Sequence, residues 1–149
     1  MTDEDDRTTP IGLFNFADSY WRSAAALKKA KVQATHPDAP ICFLYYHSVE
    51  LYLKAYLRAE GYPVDDLRTR YGHNAIKLCD EAKRHGLHLD EEDVAVLAYM
   101  GNTDAVIESR FPRTGFFRRP ANEALHRTCK SLHYSVGKAL KAKGGPVRL

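Results

Sequence analysis

The sequence predicts an all-α protein, an up-and-down antiparallel bundle of about five helices. Apolar residues recur at helical spacing through most of the 149 residues, and no stretch alternates as a β-strand would. Proline and glycine, which often begin and end helices, separate these stretches. The length and the apolar content of 44% predict one domain with its own core, spanning residues 11–143.

Polar segments flank this domain at both ends, and the first helix is predicted after the N-terminal segment. Residues 1–10 are acidic and polar, and they predict a disordered tail. The first helix is expected from about Leu13 to Ala34, with a stripe of apolar residues that Trp21 widens. Pro37 predicts a turn after it. Residues 144–149 predict a flexible tail.

The second helix is expected from Pro40 to Gly61 and at the centre of the bundle. Pro40 suits a first helical position, because the N–H that proline lacks is unpaired there anyway. Glycine often follows the last turn of a helix. The apolar residues form two flanks: Ile41, Leu44, Tyr45, Ser48, Leu51, Tyr52 and Ala55 on one, and Phe43, Tyr46, Val49, Leu53, Tyr56 and Leu57 on the other. Such a helix has neighbours on both sides, and the second flank is available to a dimer partner.

Three further helices are predicted after a polar loop over residues 62–73. Asn74 is the expected N-cap of a helix over 75–85, and Asp90 is the expected N-cap of the next helix. Pro120 opens a last helix that reaches about Lys143.

Composition limits the cellular context. The three cysteines, Cys42, Cys79 and Cys129, are widely spaced and odd in number, so free and mostly buried thiols are expected. No apolar run is long enough to span a bilayer, and the acidic N-terminus is unlike a signal peptide. A cytoplasmic location is the expectation.

Charge is distributed unevenly along the chain. Residues 1–109 hold 12 basic and 18 acidic residues, a net charge of −6, whereas residues 110–149 hold 10 basic residues and one acidic residue, a net charge of +9. Such a segment attracts phosphate or an acidic protein surface, or it simply forms a solvated helix face.

Arginine and histidine in the basic segment suggest metal-independent cleavage of RNA. Arg119 precedes Pro120, and His126 follows within two helical turns. Arginine can hold a phosphate through two N–H groups, and histidine can take the proton of a 2′-hydroxyl. His133 lies seven residues further, on nearly the same face. Arg127 with His133 is a second pair, but six residues turn a helix by about 240°, so these side chains are expected on different faces.

Binding of RNA or a nucleotide is the other function that this segment suggests. Guanidinium groups alternate with aromatic rings over residues 110–119, and this combination suits phosphates and bases. The predicted contacts are Arg110, Arg113, Arg118, Arg119, Lys130 and His133. Alternatively, the phenylalanines anchor the loop on the core while the arginines stay in water.

Other kinds of site have less support in the sequence. His47 and Glu50 share a helical face and could form half of a metal site, but no matching pair is evident on another helix. Glu50 with Lys54 is more simply an ion pair between adjacent turns. The sequence has no P-loop, GxGxxG or GxSxG motif, so nucleotide hydrolysis at a Walker-type site and acyl transfer by a serine nucleophile are both unsupported. No cofactor is expected.

Together, these stretches resemble the HEPN domain. The similarity covers about residues 13–143 and is carried by YYHSVELYLKAYLRAEG, GHNAIKLCDEAKRHGL, AVIESRFP and the final amphipathic helix. His73 and Asn74 fit the start of the family's third helix. Arg110, Phe111 and Pro112 fit a step before the last helix in one branch of the family.

The resemblance implies a helical bundle, often a homodimer, that binds RNA or nucleotides. Many members work in toxin–antitoxin or defence systems, sometimes beside a small nucleotidyltransferase. Catalytic members have a polar residue directly after the arginine of their Arg–His pair. Pro120 occupies that position after Arg119, and the branch with the Arg-aromatic-Pro step is mainly non-catalytic. A binding or regulatory domain is therefore the leading hypothesis, ahead of a metal-independent endoribonuclease and a structural protein-interaction module.

Overall fold

The computed structural model describes residues 2–101 and 121–149. Within these ranges the regular structure is entirely helical and contains no strand. The seven α-helices are α1 (Asp3–Arg7), α2 (Pro10–Ala30), α3 (Asp38–Ala59), α4 (Val64–Asp66), α5 (Ala75–Arg84), α6 (Glu91–Gly101) and α7 (Asn122–Ala142), and a π-helical turn spans Leu67–Tyr71. The all-α prediction is thus confirmed for the described residues, whereas the predicted count of about five helices is not reproduced.

Capping groups explain where the first two long helices begin and end. Thr9 is the N-cap of α2 and accepts a hydrogen bond from the backbone N–H of Gly12 at 3.0 Å, so the helix starts earlier than predicted. It also ends earlier, at a left-handed residue, Lys31. In α3, Pro40 is the third helical residue rather than the first. Gly61 ends this helix as predicted, with a φ of 100°.

The next two helices begin at the predicted N-caps. The Asn74 side chain accepts from the backbone N–H of Lys77 at 3.0 Å, and the Asp90 side chain accepts from that of Asp93 at 2.9 Å. Each side chain pairs a donor that the first helical turn leaves without a partner. Both starts are confirmed because capping depends on residues that are adjacent in sequence.

The central position of α3 is also confirmed. This helix packs against α2, α5 and α7. The contacts of α2 run in opposite order along its two long neighbours. Phe14 meets Tyr52 on α3 and His133 on α7, whereas Tyr20 meets His47 and Trp21 meets His126. Helix α2 is therefore antiparallel to both α3 and α7, which run parallel to each other.

The second flank of α3 is not available to a dimer partner, contrary to the sequence-based prediction. Five of its six residues are buried within the chain itself: Tyr46, Val49, Leu53, Tyr56 and Leu57. They join a core to which α2, α5, α6 and α7 all contribute. Two apolar flanks on one helix therefore reflect neighbours from the same chain.

The N-terminal residues form a helix where a disordered tail was expected. Thr2 and Asp5 make a reciprocal capping box around α1. Asp5 also accepts from the backbone N–H of Val64 at 2.8 Å, so it caps the start of α4 as well. Arg58 donates to the carbonyl oxygens of Asp5 and Thr8, both at 3.0 Å. An acidic sequence thus becomes ordered because its carboxylate and carbonyl groups find donors on α3 and α4.

Helical turns also replace the polar loop predicted over residues 62–73. Helix α4 continues directly into the π-helical turn. Leu67 and Tyr71 point into the core and are only 3% and 8% exposed. Gly72 ends this segment with a positive φ of 52°. Two buried residues among many charged ones are a weak sequence signal, which explains the wrong prediction.

The C-terminal tail, which was predicted to be flexible, folds back on α7 in the structure. Val147 is 8% exposed and belongs to the core. A Cβ atom on Gly137 would lie 2.5 Å from Leu149 and 3.3 Å from Val147, so the tail crosses α7 where a glycine leaves room. The backbone N–H of Gly145 donates to the Leu140 carbonyl at 2.9 Å and starts this reversal.

Two predictions from composition can be compared with the structure. Cys42, Cys79 and Cys129 are all buried and free of disulfides, as predicted. Among the described helices, none is sufficiently long and apolar to cross a membrane.

We expect Val147→Ala to lower the free energy of unfolding by about 1 to 2 kcal/mol, because it removes two buried methyl groups. Urea unfolding of the purified variant measures this loss. Val32→Ala is the matched control, since Val32 is 49% exposed and should change stability by less than about 0.5 kcal/mol. Equal stability of the Val147→Ala variant and the wild type would mean that the tail does not pack in solution.

Candidate functional site

The histidines predicted as site residues lie where α2, α3 and α7 meet. His126 and His133 extend from α7, and the Trp21 ring of α2 packs against both, at centroid distances of 5.6 Å and 5.3 Å. The prediction that both imidazoles share one side of the helix is therefore correct. Both rings point towards neighbouring helices rather than outward.

His126 is held through one ring nitrogen by two donors. Its Nδ1 accepts from the indole N–H of Trp21 at 3.2 Å, and the Tyr45 hydroxyl lies 3.0 Å from the same atom. An indole N–H can only donate, so Nδ1 has no proton and the neutral ring carries its proton on Nε2. Burial, together with the positive charges of Lys28 and Lys130, lowers the pKa of His126.

This arrangement does not suit the general-base role predicted for His126. A base needs a free lone pair facing its substrate, but the lone pair on Nδ1 is occupied and Nε2 carries the proton. Burial raises the pKa of Tyr45 to about 12, so its hydroxyl remains a donor at neutral pH. The partner predicted for His126, Arg119, lies outside the described residues, as do Arg110, Arg113 and Arg118.

His133 is a core residue rather than a surface contact for RNA, which corrects its predicted role. It is 3% exposed, and the Phe14 ring stacks on it at 5.4 Å. Its Nδ1–H donates to the Asp18 carboxylate at 2.8 Å, and the same oxygen accepts from the Tyr52 hydroxyl. Burial and this hydrogen bond to Asp18 raise the pKa of Tyr52. The group therefore joins three helices through one carboxylate.

The alternative pair, Arg127 and His133, is separated as predicted. Arg127 is on the exposed side of α7 and pairs with Glu92 of α6 at 3.3 Å. Beneath it, Thr128 donates to the buried Asp93 at 2.9 Å. Burial raises the pKa of Asp93. These contacts fix α6 against α7.

The exposed face of α7 is basic. Lys130, Lys138 and Lys141 lie on this face at helical spacing, together with Tyr134, whose side chain is 44% exposed. Within the described part of the chain, none of these lysines is within ion-pair distance of a carboxylate. Sequence analysis predicted Lys130 but missed Tyr134, Lys138 and Lys141, although their spacing of three and four residues was a usable signal. We call these four residues the α7 basic face.

A second polar cluster lies on the other side of α3, around Glu50. This carboxylate is 2% exposed and accepts from Lys54 at 2.7 Å and from His73 at 2.9 and 3.0 Å. His47 Nδ1 is 3.8 Å from it, too far for a hydrogen bond. The Glu50–Lys54 ion pair was predicted, whereas the contact with His73 was not.

Hydrogen-bonding groups and the charge of Lys54 keep the Glu50 carboxylate ionised. Burial alone would raise its pKa, but the neighbouring His47, Lys54 and His73 outweigh burial and lower the pKa to about 2. Over residues 2–101 and 121–149, no three His, Cys, Asp or Glu side chains are arranged to hold a metal ion. Hydrogen bonds and ion pairs thus account for the charge balance of this cluster.

Comparison with known proteins identifies no relative. The chain matches no protein-family model, no curated protein and no solved structure. Interpretation of the site therefore depends on the geometry of its residues.

We expect His126 to be neutral near pH 7, with its proton on Nε2 and its pKa below the usual 6.5. NMR detection of the imidazole nitrogens through their ring protons identifies the protonated nitrogen. Trp21→Phe, which removes the indole donor, should raise the pKa of His126. A proton on Nδ1 in the wild type would contradict the described hydrogen bonds.

We expect Glu50 to make stability depend on pH under acidic conditions. Its folded pKa of about 2 is below the ordinary value of 4.5, so its contribution is fully present above the ordinary value and is lost as the pH falls towards the folded one. The loss should be roughly 3 kcal/mol between about pH 5 and about pH 2. Urea unfolding at a series of pH values measures it. A Glu50→Gln variant as pH-dependent as the wild type would contradict it.

Proposed function

We propose that this chain is an RNA- or nucleotide-binding accessory domain of the HEPN type, with the α7 basic face as its contact surface. The observation that carries the proposal is the exposure of Tyr134 between Lys130 and Lys138, one helical turn from each. Ammonium groups attract phosphates, and an exposed aromatic ring can stack on a base. The charge of +9 over residues 110–149 supports the same function.

Fold stability does not account for the α7 basic face. Lys138 and Lys141 are one turn apart, and like charges at that spacing are slightly destabilising. No described carboxylate offsets either charge. Exposed basic residues elsewhere on α7 and at its C-cap do have acidic partners: Arg127 pairs with Glu92, and the C-cap residue Lys143 lies 3.6 Å from Glu60. A bound polyanion would provide the missing negative charge.

The described contacts of the two histidines favour binding over catalysis, for which the Arg119–His126 pair was predicted. His126 uses its only lone pair inside the fold. His133 is buried and uses its Nδ1–H to hold Asp18. Both imidazoles thus stabilise the surface on which a ligand binds, and the phosphate contacts come from lysines of the same helix.

The oligomeric state, cellular role and partner that we propose rest on the resemblance to the HEPN family. They are a homodimer, a role in a toxin–antitoxin or defence system, and a small nucleotidyltransferase as partner. A purely structural interaction module is the remaining alternative. It would need no phosphate contacts, so the experiment below separates it from the proposed function.

We expect simultaneous Lys130→Gln, Lys138→Gln and Lys141→Gln substitutions to weaken binding of a single-stranded RNA. Three lost phosphate contacts should reduce the slope of log K against log salt by about 2. Tyr134→Ala should cost about 1 to 3 kcal/mol of binding free energy through lost stacking. Fluorescence anisotropy with a labelled oligonucleotide over a range of salt concentrations measures both effects.

The matched control removes the same number of positive charges from other helices. Lys29, Lys77 and Lys83 are exposed on α2 and α5, so replacing all three by glutamine should leave the salt slope nearly unchanged. If the control weakens binding as much, net charge rather than the α7 basic face is responsible. Absence of wild-type binding even at low salt would favour the structural alternative.

A further inference from the structure

A cavity of about 400 Å³ lies where α2 ends and α3 begins. Its interior is lined by apolar side chains, Leu27 of α2 and Ile41 of α3, and Ile41 is only 5% exposed. Val32 and Pro37, from the segment that joins the two helices, complete the apolar lining. Small-molecule sites in proteins span roughly 300 to 1,000 Å³, so this cavity suits a small ligand rather than a peptide.

Two side chains of opposite charge line the same cavity: Lys31, the C-cap of α2, and Asp38, the first residue of α3. Within the described part of the chain neither has an ion-pair partner, so the two charges do not neutralise each other. Lys28, another charged group of the lining, is paired with Glu123 at 2.8 Å. The cavity thus presents one uncompensated positive charge and one uncompensated negative charge beside an apolar interior.

Both charged groups keep most of their hydrogen-bonding capacity. The Asp38 carboxylate accepts from the Asn122 side chain at 3.4 Å, which is long for a hydrogen bond and uses one of its two oxygens. The Lys31 ammonium has three N–H donors, and no described residue accepts from them. A ligand ammonium can therefore donate to Asp38 while a ligand carboxylate accepts from Lys31.

The two helix ends hold these charges apart. Lys31 has a φ of 51°, a left-handed conformation that glycine or asparagine usually adopts after a helix. A lysine in this conformation costs free energy, and residues of this kind concentrate at ligand sites. Asp38 is fixed in the first turn of α3, where a carboxylate interacts favourably with the positive end of the helix dipole. Because they are on different helices, the two groups can contact different ends of one ligand.

We propose that this cavity binds a free α-amino acid with an apolar side chain. Asp38 accepts from the ammonium group of the ligand, and Lys31 donates to its carboxylate. The apolar side chain packs on Leu27 and Ile41 and covers part of Val32, a large apolar residue that is 49% exposed. The site is separate from the α7 basic face, and the proposal does not depend on the binding of RNA.

Other small ligands leave part of this lining unsatisfied. An apolar carboxylate would pair with Lys31 but would bring a second negative charge near Asp38. An apolar amine would pair with Asp38 but would bring a second positive charge near Lys31. A polar amino acid would place hydrogen-bonding groups against the apolar interior, which costs free energy. An apolar zwitterion satisfies both charges and the interior together.

L-Leucine is the probe, and NMR titration of the isotope-labelled full chain measures its binding. The shifts of backbone amides should saturate, and the largest should fall within residues 27–41. Two analogues each lack one charged group: 4-methylpentanoate has no ammonium, and 3-methylbutylamine has no carboxylate. Each should bind at least about 10-fold more weakly than leucine, because a hydrogen bond to a charged group is lost.

Substitutions assign each ligand group to its contact. Asp38→Asn should weaken leucine binding about 10-fold without weakening that of 4-methylpentanoate. Lys31→Gln should weaken leucine binding by a similar factor without weakening that of 3-methylbutylamine. Lys29→Gln and Asp80→Asn are the matched controls, since they remove the same charges at exposed positions outside the cavity and should bind leucine like the wild type.

Three results would overturn the proposal. The first is the absence of saturable shifts with leucine at concentrations up to its solubility. The second is an analogue that binds the wild type as tightly as leucine does, since one of the two charges would then have no role. The third is a set of shifts centred outside residues 27–41. The comparison of analogues uses the wild type alone, so it decides the proposal even where a melting curve shows that a variant is unfolded.

Discussion

Close packing of α2 against α3 determines much of this structure. The two helices meet at small residues: Ala17 and Ser48 are fully buried, and the Ser48 hydroxyl donates to the Ala17 carbonyl at 2.8 Å. Larger side chains at these positions would hold the helices further apart. Because α2 lies so close, Asp18 can reach both Tyr52 on α3 and His133 on α7. Asp18, the residue after Ala17, thus links three helices through its carboxylate.

The two sides of α3 use ionisable residues differently. Towards α7, the rings of His126 and His133 are enclosed by aromatic residues, and their hydrogen bonds stay within the bundle. Towards α5, Glu50 is buried, but the groups around it extend to the surface. The first arrangement is typical of satisfied polar groups in a core, whereas the second leaves charged and titratable groups within reach of solvent. Histidine content alone does not distinguish them.

Local signals in the sequence predicted much of the fold. Asn74 and Asp90 act on their own helical turns, so their capping roles could be predicted from neighbouring residues. Contacts between distant residues could not. Nothing near Asp5 indicates that it caps α4, 59 positions away. The site shows the same limit: the Glu50–Lys54 pair follows from helical spacing, whereas the contact of Glu50 with His73 depends on how α5 packs.

Trp21 is the single tryptophan of the chain, and its position gives it a practical value. The indole is partly buried between two imidazoles, and its N–H donates to one of them. Its fluorescence therefore originates from the junction of three helices, with no competing tryptophan signal. Because imidazolium quenches indole emission more strongly than neutral imidazole, the protein contains an intrinsic optical probe. Its emission reports both on the assembly of the bundle and on the protonation of His126.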